Sequence, residues 1–481
     1  VHRLPSRACG ASRRRLQCLA FTAAALAAGG VEATAQEPIP ASDSVAPRQG
    51  SGVGLSYWGE IPPPTDSTTG RFANPPVSFW EAVLVSPYRV LTFPVRAVSA
   101  GMLAAVEFMD DRRILDVFFR PPGNVQLFPE VSAGGLSGLG AGLAVQHNHV
   151  GAAGNLLRLR FSTSVRGDRR ITGGARFPIG SGGELDVGAG YRNRANARYF
   201  GIGPEASRFD ESFYRQRLTW LGASYDQRLG ALYLRGKLLY TGVSTGEPGG
   251  DFEPSLSRRF ADDRPAGFGA RSDGLSLELL IGHVDYRETG RPTRGGVRQL
   301  RTSYFFGTGA DDATDFWTFR AELQQFIPLW YDYHALALRW YASWIQPVGG
   351  AADFPFQRLL TNDDPDLLRG YNDFRWRDRG LTVLSVEYRW PLWAFQHAAA
   401  AGIDIYLLAD VGQVFNELAQ IDLNNLTFSY GVGLRLVDGP GFVLRIEFAR
   451  SNEQSMFRLK SEQIFQWTKG LFHGKDPVPP R

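Results

Sequence analysis

Residues 426–450 read LTFSYGVGLRLVDGPGFVLRIEFAR, and nearly every position alternates in character with the next. Phe428, Tyr430, Val432, Leu434 and Leu436 fall on one face of an extended segment, with Thr427, Ser429, Gly431, Gly433 and Arg435 on the other, because successive side chains of a strand point to opposite faces. Asp438-Gly439-Pro440 reads as a turn. Beyond it Phe442, Leu444, Ile446 and Phe448 oppose Arg445 and Glu447. The segment is therefore a hairpin with one apolar face and one charged face. A soluble sheet buries the apolar face on a core, whereas a membrane barrel turns it to lipid and keeps the charges inside.

Working outward, the same alternation recurs in about sixteen candidate strands, from 125–133 at one end to 455–466 at the other, most near the ~9–11 residues that a tilted membrane strand needs. The connections alternate as well. Short ones at 178–183, 228–230 and 438–440 fall on one parity, and long ones at 195–212, 244–273, 308–315, 347–379 and 416–425 fall on the other. Outer-membrane barrels segregate short periplasmic turns from long external loops in this way. Only 392–401 is longer than a periplasmic turn should be. With 55 glycines, 12% aromatic residues and few lysines, the composition suits short strands and tight turns. The expectation is an all-β fold, a transmembrane antiparallel β-barrel of about 16 strands over 125–467, preceded by a short helical segment.

The ends agree with a membrane destination. Arg13, Arg14 and Arg15 precede an apolar stretch from Leu16 to Ala28, and Ala33-Thr34-Ala35 supplies small residues before Gln36. Residues 1–35 are thus read as a secretory signal peptide. Its removal takes five arginines and Glu32 with it, which brings the formal net charge of +4 to zero, so the basic balance gives no support to nucleic-acid binding. Cys9 and Cys18, the two cysteines, lie in the same segment, which excludes a disulfide scaffold or thiol chemistry in the remainder. Residues 36–76, with Pro62-Pro63-Pro64, read as a flexible linker. Residues 77–124 read as short amphipathic helices, able to lie on the inner leaflet or plug the barrel, and 468–481 as a polar tail. Past the first 35 residues no apolar run is long enough for a membrane helix.

Leu368-Arg369-Gly370-Tyr371, in the long external loop before the fifth-from-last strand, resembles the [V/L]-R-G-[F/Y] loop motif of the outer-membrane assembly-factor superfamily, the barrels of BamA, TamA and two-partner-secretion transporters. The likeness continues in order through Gly380, the strand ending Glu387-Tyr388-Arg389, and Leu408-Ala409-Asp410-Val411-Gly412, which is similar to the family's F-x-D-x-G. Asp285-Tyr286-Arg287, Pro292 and Gly295-Gly296 resemble the family's turn between strands eight and nine. The resemblance implies that the motif loop folds back into the lumen. Arg369 would then lie against the inward acids Asp410 and Glu387, beside Gly412, with Gly370 permitting a close backbone approach and Tyr371 packing in the wall. It further implies outer-membrane protein insertion or translocation, with unfolded outer-membrane proteins as clients and outer-membrane lipid and lipopolysaccharide as surroundings. Two departures stand against the family pattern: no POTRA-like stretch is evident in 36–124, and a polar tail follows the last strand. They leave a passive channel or structural surface barrel as the alternative.

Enzymatic chemistry has little support. His147 and His149, two apart on one strand face, resemble half of a metal site with no third ligand evident, and nothing in the spacing of Ser385 and His397 selects them as a nucleophile and base. Neither a metal nor any other cofactor is expected. Asp262-Asp263, Asp311-Asp312 and Asp363-Asp364 fall in external loops, where divalent cations could bridge them to lipopolysaccharide.

Overall fold

A computed structural model of the protein describes residues 124–134, 138–250, 252–285, 292–308, 314–329, 334–349, 354–362, 367–395, 398–438 and 442–460. All belong to the compact unit Trp58–Arg481, and the unit Val1–Tyr57 lies outside the described residues. So do the expected signal peptide, linker, amphipathic helices and polar tail.

Eleven strands come first: β1 (Val125–Gly134), β2 (Gly140–Asn148), β3 (Leu156–Ser164), β4 (Arg169–Ile179), β5 (Gly183–Tyr199), β6 (Ser212–Leu229), β7 (Leu232–Gly246), β8 (Arg271–Val284), β9 (Gly295–Gly307), β10 (Phe316–Pro328) and β11 (Ala335–Pro347). The two-residue strands β12 (Leu360–Thr361) and β13 (Arg377–Asp378) pair with each other inside the loop after β11. Then follow β14 (Gly380–Phe395), β15 (Ala398–Phe415), β16 (Thr427–Asp438), β17 (Phe442–Ser451) and β18 (Ser455–Lys460). Apart from β12 and β13, each strand pairs antiparallel with the next and β18 returns to β1, so sixteen strands close a barrel. Closure leaves no sheet edge, which lets a strand-built protein satisfy its backbone in lipid.

The outer face is apolar: Leu157, Leu159 and Phe161 on β3, and Leu275, Leu277, Leu279 and Ile281 on β8 are exposed. The inner face is charged. Lys237 Nζ lies 2.9 Å from Glu278 Oε2, Arg339 Nε lies 2.7 Å from Glu322 Oε1, and Arg235 pairs with Asp226, all of them buried in the wall. Such a distribution is inverted relative to a soluble protein and suits a membrane barrel.

Two expectations are corrected. β14 runs on to Phe395 and β15 starts at Ala398, so the overlong connection expected at 392–401 shrinks to 396–397. The ladder shifts register between Pro391 and Trp393, a bulge that carries the strand past a proline that the sequence suggests as its end. His149 is not on a strand face: β2 stops at Asn148, and His149 takes φ 63° in the turn, where its Nδ1 accepts the Gly154 N–H at 2.9 Å. No group of three metal-ligating side chains occurs among the described residues.

Candidate functional site

The loop after β11 turns into the barrel. Arg358 donates to Ser272 Oγ on β8 and to Thr241 Oγ1 on β7, each at 3.0 Å, and its guanidinium lies over the Phe305 ring. Arg377 donates to the Phe356 carbonyl at 2.7 Å and to Tyr214 Oη at 3.0 Å. Arg375 binds Glu453 at 2.8 Å and stacks on Trp376 with 4.0 Å to the ring centroid. Around these cations Phe354, Phe356, Leu360, Leu367 and Phe374 form one apolar cluster with Tyr199, Phe305, Phe316 and Tyr341 of the wall. Rings and guanidinium planes suit this packing, since a cation is held over an aromatic face while its edge N–H groups still donate.

At the turn of the loop sits Leu368-Arg369-Gly370-Tyr371. Leu368, not the glycine, takes the left-handed backbone, at φ 56°. Gly370 is needed for a different reason: a Cβ there would lie 2.6 Å from Ser429 Cβ and 2.8 Å from the Arg450 carbonyl carbon. Only a residue without a side chain lets the turn press so closely against β16 and β17. Tyr371 donates its hydroxyl to Asn452 Oδ1 at 2.8 Å and meets Trp376 edge to face.

Arg369 has no exposed surface. Its Nε donates to Asp410 Oδ2 at 2.9 Å, its Nη2 to Asp410 Oδ1 at 2.8 Å, and its backbone N–H to Asp410 Oδ2 at 2.9 Å. Nη1 donates to Glu387 Oε1 at 2.5 Å and to Glu447 Oε1 at 3.3 Å. Three strands, β14, β15 and β17, thus each supply one carboxylate. Arg389 Nε binds the other oxygen of Glu387 at 2.9 Å, and Arg445 Nη1 binds Glu447 at 3.0 Å. Three guanidinium groups and three carboxylates therefore balance within a buried site, the condition under which a buried ion cluster is tolerated. Burial alone would lower the Arg369 pKa, but Asp410 and then Glu387 outweigh it and hold the pKa well above its usual value.

Gly412, expected beside the arginine, makes no bond to it; it is two residues past Asp410 and packs on β14, where a Cβ would lie 2.7 Å from Val383 Cγ2. Glu447 was not among the expected partners. Its alternation marks it as an inward acid, but its reach depends on β16, whose inward Gly431 and Gly433 leave an opening. Through that gap the Tyr406 hydroxyl of β15 donates to Glu447 Oε1 of β17 at 2.8 Å. A Cβ on Gly433 would enter the Tyr406 ring.

Residues 283–472 match the family described as the Omp85 superfamily domain. Over these residues the protein carries an Omp85 superfamily domain. It is a barrel of the bacterial outer membrane. No curated protein matches the chain in sequence. Among solved structures, the barrel is similar to BamA from Haemophilus ducreyi lacking POTRA domains 1-3, at 14% identity over 70% of each chain with a TM-score of 0.51. It also resembles CdiB from Escherichia coli, at 13% identity over 71% of this chain and 63% of that one with a TM-score of 0.48. CdiB from Acinetobacter baumannii gives 13% identity over 70% of this chain and 60% of that one, with a TM-score of 0.45. The chain thus spans under two thirds of either CdiB, and identities this low speak to fold alone.

Proposed function

We propose that the protein inserts or translocates other proteins at the outer membrane, as a barrel of the BamA type, with unfolded outer-membrane proteins as its clients and with no bond-making chemistry of its own. The observation that carries this reading is the inward loop pinned by Arg369 to three strands, Asp410 on β15, Glu387 on β14 and Glu447 on β17. It braces the wall that leads to the junction of β18 with β1. At that junction Ala133 faces Leu459 and Gly134 faces Arg458. A rigid wall beside that junction suits lateral opening of the barrel toward lipid. A passive channel fits less well, since the loop and its aromatic cluster occupy the lumen that a channel would keep open.

The seam gives the test. Ala133→Cys with Leu459→Cys, in a protein whose Cys9 and Cys18 are replaced, places a thiol pair across it. Reconstituted in liposomes, the reduced protein should accelerate folding of a urea-denatured outer-membrane protein and the oxidised protein should not. Equal rates in the two forms would remove the seam from the mechanism, and no acceleration in either form would favour a structural barrel.

A further inference from the structure

The outward face of the barrel differs between two sectors near its external rim. On β9–β11 and β14–β16 the outward residues there include Tyr304, Phe306, Trp317, Trp344, Phe428 and Tyr430, several of them in contact with one another or with Phe415. On β4–β8 the same zone is polar and cationic. Arg169 faces Asn193 across the ladder, Asn193 faces Arg217, Arg217 faces Ser244, and Ser244 faces Arg271. Cations therefore recur on every second strand, roughly 9–10 Å apart at the usual strand spacing, with an amide or a hydroxyl between them.

The row sits at a defined level. On these five strands the apolar band ends at Ile171, Tyr191, Leu221, Tyr240 and Leu275, and the row lies one or two outward positions beyond each. Arg271 is held by Asp273, with Nε 2.7 Å from Oδ2. Asp168, the acid next to Arg169 in sequence, accepts the Ala195 N–H at 2.8 Å. Arg169 and Arg217 are exposed, and neither has a hydrogen bond or ion pair with any described residue. An arginine on the lipid face is strongly unfavourable at mid-bilayer and nearly neutral at the headgroup level, so these side chains belong among headgroups.

We propose that the row of Arg169, Asn193, Arg217, Ser244 and Arg271 docks a phosphorylated glycolipid of the outer leaflet. Its phosphates are taken by Arg169 and Arg217, its sugar hydroxyls meet Asn193 and Ser244, and its acyl chains lie along the apolar band below. A guanidinium presents paired N–H donors that match two phosphate oxygens, and two such groups at fixed spacing suit a headgroup that carries two phosphates. The apolar band directly beneath selects a lipid over a soluble polyanion, which would have no use for it. The inference rests on the outer-membrane location and not on the proposed assembly role.

The full chain, purified in detergent and incubated with bisphosphorylated lipid A, can be weighed intact by native mass spectrometry. The parent should retain the lipid. Arg169→Gln with Arg217→Gln should retain at least tenfold less, and the parent should bind dephosphorylated lipid A equally poorly. Arg258→Gln, which removes one cation from a different external loop, should bind as the parent does. Parent-level retention by the double variant, or equal binding of the dephosphorylated lipid, would overturn the proposal. So would displacement of lipid A by millimolar inorganic phosphate, which marks a simple anion site. If the double variant yields no heat-modifiable band, the comparison of the two lipids on the parent still decides.

Discussion

Arg258 and Arg369 are both external-loop arginines beside a glutamate, one in 247–270 and the other in 348–379, and the two loops use them in opposite ways. Arg258 Nη1 lies 3.0 Å from Glu253 Oε1 with the side chains 73% and 56% exposed, while Arg369 Nη1 lies 2.5 Å from Glu387 Oε1 with 0% and 5% exposed. The distances are close, but the surroundings differ. An exposed pair exchanges one set of water contacts for another and gains little. A buried one cannot lose a member without stranding the other in a medium that cannot solvate it. Loop 247–270 keeps its described charges in water, and loop 348–379 is a strut whose charges are its anchors.

The largest effect that separates the two loops is expected from Arg369→Ala. It should cost on the order of 3–5 kcal/mol, by stranding Asp410 and taking from Glu387 and Glu447 one of their two cations. The folded, heat-modifiable band on gels should fall, and 348–379 should become open to external protease. Glu447→Gln removes the longest of the three contacts and should give a smaller loss in the same two assays.

Next comes a pH effect inside the strut. Asp378 on β13 is buried, and burial pushes its pKa up to about 6 even though the Arg379 N–H and guanidinium pull it down. Its Oδ2 has no partner among the described residues. Because the folded pKa lies above the unfolded one, the protonated acid favours the folded loop below about pH 4. That contribution fades as pH rises through about 6, where ionisation in a dry site becomes a penalty. Asp378→Asn should therefore leave stability unchanged at pH 4 and raise it at pH 8, by about 2–3 kcal/mol at most. Urea unfolding at the two pH values reads the difference, and an equal effect at both would contradict it.

Smaller still is Tyr371→Phe, which deletes the hydroxyl donated to Asn452 while keeping the ring against Trp376. A loss of about 1 kcal/mol in urea unfolding is expected for one net hydrogen bond. At the bottom of the scale, Arg258→Ala should change stability by ~0–1 kcal/mol and leave protease sensitivity as it was.

Much of this contrast was open to reading in the sequence. Strict alternation marks Asp410, Glu387 and Glu447 as inward acids, since a strand offers only two faces. The order of Leu368-Arg369-Gly370-Tyr371 before Glu387 and Asp410 points the arginine at two of them. Position along the barrel axis is another matter, because it depends on the register and shear of neighbouring strands. Glu447 meets Arg369 only because Gly431 and Gly433 leave β16 bare on its inner face, a relation among three strands that no single strand reveals. The β12–β13 pair escaped notice for a simpler reason: two residues are too few to show a period. Pro391 misled in the opposite direction, since a bulge absorbs it and β14 continues.

The inward loop is anchored by the coupling of Arg369 to Asp410, and a double-mutant cycle in urea unfolding measures it. Arg369→Ala, Asp410→Ala and the double variant are compared with the parent. If the guanidinium is a buried anchor, the double variant should be less damaged than the sum of the singles by roughly 2–3 kcal/mol, because it keeps neither the guanidinium that Asp410→Ala strands nor the Asp410 carboxylate that Arg369→Ala strands. Additive losses, within about 0.5 kcal/mol, would mean that the two side chains do not stabilise each other and that the loop is held in the lumen by something else.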